Sequence, residues 1–176
     1  MLSVHEQTMM QDIERRLIAM RAHLSEGTPS LEDTAAWFSY LAQLKAIQGN
    51  SSNAVSFVAT LLAKQYLAQS YGLTQFDAAK KSQNAPGIDI DVILPDSRRL
   101  VAEIKTTNPY KPKDFGHQQK KSIMQDFMKL AKAEADIKLF LVTDPITFGF
   151  MKKSKYHSMV QGITVVLLTT GEELIV

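Results

Sequence analysis

Residues 87–107 read GIDIDVILPDSRRLVAEIKTT, and the fold turns on how they are paired. Side chains on a strand alternate faces. Ile88, Ile90, Val92 and Leu94 therefore share one face of the first run, and Asp89, Asp91 and Ile93 the other. On the second run Leu100, Ala102 and Ile104 face one way, while Val101, Glu103, Lys105 and Thr107 face the other. The turn-rich PDSRR between them predicts a hairpin. A register with Asp91 opposite Glu103 buries one apolar face whole and gathers the charges on the other. It also sets Ile93 opposite Val101 and Asp89 opposite Lys105. A slip of one residue would scatter the charges over both faces. Parity alone is equally compatible with a solvated face carrying cross-strand ion pairs. A chemical use is the alternative, because charges taken out of water must pair or hold a metal.

Upstream, Val4, Met9 or Met10, Ile13, Leu17, Met20 and Leu24 recur at helical spacing over residues 4–25. Ser30 followed by Asp33 reads as the cap of a second helix, which carries Ala36, Trp37, Tyr40, Leu41, Leu44 and Ile47. A third helix over about 53–71 is apolar round much of its circumference and is expected to be buried. Beyond Gly72 a short strand near 74–80 precedes the hairpin. A helix over 117–135, a strand over 138–143, a loop with a helix and a last strand from Ile163 follow it. Helices first and then alternating strands and helices predict an α/β fold with a mixed central sheet. One domain over 1–176 is expected, comprising a helical extension over 1–48, suited to dimerisation, and a core over 49–176.

Composition narrows the function classes. The chain has 176 residues, a formal charge of +2 and no cysteine, so disulfides and Cys-based metal sites are excluded. His5, His23, His117 and His157 show no metal-ligand spacing. No Walker-type glycine-rich loop is present, so no nucleotide cofactor is expected. No apolar run approaches membrane-spanning length and the N-terminal stretch lacks a signal-peptide core, so a cytoplasmic protein is expected. Charge is unevenly spread. From Arg98 to Lys121 seven Lys/Arg stand against two acids, while residues 1–48 carry six acids against four bases.

An acid, a hairpin's length of chain, then Glu103-Ile104-Lys105 closing the second strand resembles the PD-(D/E)xK nuclease superfamily, and most of all a small type II restriction endonuclease. The order of elements over about 50–145 resembles that superfamily's αβββαβ restriction-endonuclease-like core. The literal Pro95-Asp96 lies in the turn and reads as a decoy. The resemblance implies Asp91 or Asp89 together with Glu103 as ligands of Mg²⁺, with Mn²⁺ as a substitute and the Ile104 carbonyl as a backbone ligand. It implies Lys105 as the residue that orients the attacking water or stabilises the transition state. Which aspartate is primary stays open.

The segment after the motif, Thr106, Thr107, Asn108, Lys111, Lys113, His117, Gln118, Gln119, Lys120 and Lys121, would meet double-stranded DNA. Its lysines would contact phosphates and its amides base edges. The expected activity is hydrolysis of DNA by a homodimer. The alternatives are a structure-specific nuclease such as a junction resolvase, and a nuclease fold kept only for DNA binding.

Overall fold

The structure is a computed structural model. It describes residues 1–81, 85–110 and 114–175, with only the backbone at His157 and Ser158. The chain divides into two compact units, Met1–Val55 and Ser56–Val176, where sequence predicted one domain with a junction at 48/49.

The first unit pairs α1 (Val4–Ser25) with α2 (Thr34–Gln48). Ser3 caps α1 in a reciprocal box, its Oγ accepting from the Glu6 amide at 3.1 Å and its own amide donating to Glu6 at 2.8 Å. The cap of α2 is Asp33, not Ser30. Asp33 Oδ1 accepts from the Ala36 amide at 2.8 Å, and Ser30 instead closes the preceding turn through its carbonyl. His23 joins the two helices, its ring stacked on Tyr40 at 4.3 Å and Nε2 lying 3.1 Å from the Tyr40 carbonyl. The buried stripe of α1 includes Glu6 and His23, whereas Leu17 and Leu24 of the expected stripe are exposed.

In the second unit a five-stranded mixed sheet runs in the order β1 (Ile90–Ile93), β2 (Arg99–Lys105), β3 (Ile137–Val142), β4 (Thr164–Leu167), β5 (Glu172–Leu174). The outer pairs β1–β2 and β4–β5 are antiparallel and the inner pairs parallel. Parallel neighbours need crossovers. Helix α4 (His117–Lys132) supplies the first, and the short α5 (Pro145–Met151) and α6 (Ser154–Val160) the second.

Strand parity sorts the core into two layers. Leu100, Ala102, Leu139, Leu141 and Val166 pack with Ala63, Tyr66 and Leu67 of α3 (Ser51–Tyr71). Val101, Phe140, Val142, Val165 and Leu167 pack with Ile123, Phe127 and Leu130 of α4 and with residues of α5 and α6. Glu103 and Lys105 continue the parity of Val101, so they belong to the α4 side.

The strand expected near 74–80 is absent. Asp77 instead makes a turn, its carboxylate accepting from the Ala79 amide at 2.9 Å and its carbonyl from the Lys80 amide at 3.2 Å. An Asp side chain that bonds its own backbone two residues on competes directly with a strand ladder.

Candidate functional site

The hairpin register decides which aspartate stands beside Glu103. Asp91 pairs with Val101 and Ile90 with Ala102, two residues away from the expected register. The cause is the turn. Leu94 N donates to the Arg98 carbonyl at 2.8 Å, closing a loop of Pro95, Asp96 and Ser97, with Ser97 at φ +70°. That is the three-residue hairpin form, a tight turn followed by a left-handed residue. Asp96 stays in the turn, bonded to the amide and guanidinium of Arg98.

With this register Asp91 is drawn away from Glu103 by Arg99, whose Nε and Nη2 donate to its two oxygens at 3.0 and 2.8 Å. Those hydrogen bonds hold the Asp91 carboxyl below its usual value. It is a cross-strand ion pair at a surface position, with Asp91 45% exposed.

Asp89 takes the place beside Glu103. The chain enters β1 through Gly87, whose φ of +98° is a conformation that side chains disfavour. Lys81 Nζ donates to the Ile88 carbonyl and fastens this approach. Pairing begins only at Ile90, so the Ile104 amide has lost its ladder partner, and Asp89 Oδ2 accepts from it at 2.8 Å. One more step along the ladder sets Asp89 next to Glu103, and the two carboxylates repel.

Glu103 is 3% exposed and Lys105 is largely covered. A solvated sheet face is therefore not what surrounds them. Helix α4 closes over both. Lys105 Nζ donates to Asp126 Oδ2 at 2.6 Å and to Ser122 Oγ at 2.7 Å. Lys129 Nζ donates to Glu103 Oε1 at 3.1 Å and to Asp126 Oδ1 at 3.4 Å.

Ser122, Asp126 and Lys129 were missed by sequence reasoning. They recur at helical spacing, each one residue before Ile123, Phe127 and Leu130 of the buried stripe. A polar stripe running beside an apolar one was the available signal.

Burial first, then the charges of Asp89 and Asp126, push the Glu103 carboxyl up to about 7, with Lys129 opposing. Partial burial works to lower Lys129, but Glu103 and Asp126 outweigh it and hold it above its usual value.

A carboxyl raised on folding stabilises the folded state fully below its unfolded pKa, and that contribution is lost as pH rises through the folded value. Glu103→Gln, which cannot ionise, is therefore expected to lose less stability than the wild type from pH 4.5 to 7.5. The gap should grow with pH to about 3 kcal/mol at most. Urea melts across that range check this, and parallel curves would show that Glu103 ionises without strain.

These side chains line a cleft of about 880 Å³ that also takes in Asp77, Lys81 and Thr106. Among the described residues no three His, Asp or Glu side chains form a ready metal cluster. The donor set nonetheless suits a hard cation. Asp89 and Glu103 are two oxygen donors held together at an electrostatic penalty that a divalent cation would relieve, and Mg²⁺ commonly takes one or two carboxylates and keeps its waters.

The expected DNA-contacting residues separate into two groups. His117, Gln118 and Lys121 are exposed at the start of α4, as is Asn108 before it, and Thr106 is half-buried at the cleft. Others serve the fold. Gln119 Oε1 accepts from the Gly116 amide at 3.0 Å while its Nε2 donates to the Asn108 carbonyl at 2.7 Å. Lys120 pairs with Asp114 at 2.9 Å, and the Thr107 carbonyl accepts from Thr147 Oγ1 at 2.7 Å. Lys111 and Lys113 lie outside the described residues.

No helix among the described residues is long and apolar enough to cross a membrane. Comparison with family models, with curated proteins and with solved structures found no match to this chain.

Proposed function

We propose that this chain is a Mg²⁺-dependent DNA endonuclease, most like a type II restriction endonuclease, built on a restriction-endonuclease-like core in which residues 74–80 do not form the first strand of the expected meander. The observation that carries the reading is the convergence of Asp89, Glu103 and Lys105 in one cleft, with the two carboxylates near enough to repel and the lysine on the same strand face as Glu103, held there by Asp126. A non-catalytic copy of the fold gains little from burying that set, since even paired charges carry a desolvation cost that can exceed their mutual attraction.

In this reading Asp89 and Glu103 hold the cation, with the Ile104 carbonyl as a third donor. Bound there, Mg²⁺, or Mn²⁺ in its place, would polarise the scissile phosphate and lower the pKa of a water. Lys105 is held by Asp126 and Ser122, which suits it to stabilising charge on the phosphate rather than to taking a proton. As the water oxygen bonds to phosphorus its proton would pass to the surrounding water, the ester P–O bond would break, and the departing oxygen would take up a proton from water. The exposed start of α4 would track the backbone through Lys121, with Gln118 and Asn108 near the bases.

One site per chain cuts one strand, so a duplex calls for a twofold dimer. Exposed Leu17, Ile18, Phe38 and Leu41 make the first unit the suitable contact.

The test is cleavage of supercoiled plasmid and phage DNA with Mg²⁺, with EDTA, and with Lys105→Ala. Discrete Mg²⁺-dependent fragments are expected, with linear plasmid appearing without a build-up of nicked circles. The variant should lose about 10²–10³ in rate. Cleavage confined to branched DNA would shift the reading to a structure-specific nuclease. Equal inertness of both proteins on duplex, single-stranded and branched DNA would end it.

A further inference from the structure

We propose that Lys129 is the resident counter-cation of the Asp89–Glu103 pair and gives up that place when a divalent cation binds; this rests on the metal-site reading above. The two lysines of the cleft are not equivalent. Lys105 is 14% exposed and makes two short hydrogen bonds, to Asp126 and Ser122. Lys129 is 43% exposed, and its bonds to Glu103 and Asp126 are longer, at 3.1 and 3.4 Å.

A half-exposed lysine on a flexible four-carbon stem can swing its ammonium into water at small cost. Asp126 is shared by both lysines, so when Lys129 leaves, Asp126 keeps Lys105 as its partner. The carboxylate released is Glu103, the one that the incoming cation takes. The exchange therefore strands no buried charge, which is the condition for it to be cheap. Without the cation, Lys129 offsets part of the repulsion that Asp89 and Asp126 exert on Glu103. Its presence makes metal binding a competition, so the cleft discriminates against weakly held cations and fills only when the metal gains more than the ion pair it replaces.

The experiment is titration of the metal-free full chain with Mn²⁺ alone, followed by calorimetry and by the shift in melting temperature. Wild type, Lys129→Gln, Lys129→Arg and Asp89→Asn are compared. Lys129 is exposed enough that the Gln variant should fold, and the Arg variant keeps the charge should it not.

The Gln variant is expected to melt lower than wild type without metal, to bind Mn²⁺ about two- to fivefold tighter, the range of a part-exposed ion pair, and to gain more melting temperature from it. The Arg variant should resemble wild type. Unchanged or weaker Mn²⁺ affinity in the Gln variant, with binding still lost in Asp89→Asn, would overturn the role of Lys129 and leave the metal site standing. Absence of any Asp89-dependent Mn²⁺ binding in wild type and the Gln variant alike would overturn the metal site, and this inference with it.

Discussion

Asp89→Asn is expected to abolish the proposed Mg²⁺-dependent cleavage, and Asp91→Asn to leave it nearly intact. The two residues are two apart on the same strand parity, yet they do different work. Asp89 sits beside Glu103 and caps the Ile104 amide, while Asp91 is held by the Arg99 fork. Asparagine keeps an oxygen for the Ile104 amide, so the strand end survives and only the charge is lost. Removing one of the two proposed carboxylate ligands would forfeit several kcal/mol of transition-state stabilisation, about a thousandfold in rate. Asp91→Asn breaks a surface ion pair worth about 1 kcal/mol or less, visible as a small drop in stability with turnover within a few fold. Single-turnover cleavage of a fixed DNA fragment by the two variants decides the matter. A dead Asp91→Asn beside an active Asp89→Asn would mean that the hairpin works in the other register.

Phe140→Ala is expected to cause the largest loss of stability, about 3–5 kcal/mol, out of the roughly 5–15 that a domain has in total. Phe140 is fully buried at the centre of the sheet, paired in register with Glu103 and packed against Phe127 of α4 with ring centroids 4.5 Å apart. Removing the ring empties the space between β3 and α4. Phe127 lies next to Asp126 on that helix, so a relaxing α4 carries Asp126 and Lys129 away from Glu103 and Lys105. Urea melts should show a lower midpoint with an unchanged slope. Cleavage by the folded fraction at low temperature should fall as well. A loss under about 1 kcal/mol would show that α4 is held to the sheet by other contacts.

The elements themselves were legible in the sequence. Helical spacing over residues 4–25, the apolar segment ending at Tyr71, the two strands either side of PDSRR and the apolar runs at 138–143 and from Ile163 all form as expected, because each carries its own periodicity. That Glu103 and Lys105 share a face followed from parity alone. The false strand near 74–80 had only Thr74 and Phe76 to favour it, and Asp77 bonds its own backbone into a turn.

Tertiary structure decided the rest. A strand pattern of period two is blind to a slip of two residues, so the hydrophobic alternation could not choose between Asp89 and Asp91. The three-residue turn at Pro95–Ser97 made that choice, through the left-handed Ser97 and the Leu94–Arg98 closure. Nor could local pattern show that the charged face is covered. That required α4 to cross back over β2 and bring Ser122, Asp126 and Lys129 onto residues 17 to 26 positions earlier in the chain. The sequence by itself determined which side chains carry charge and on which face of each strand they lie. Only the packing of α4 determined that Glu103 and Lys105 are buried together, because burial belongs to the assembled layers and to no single strand.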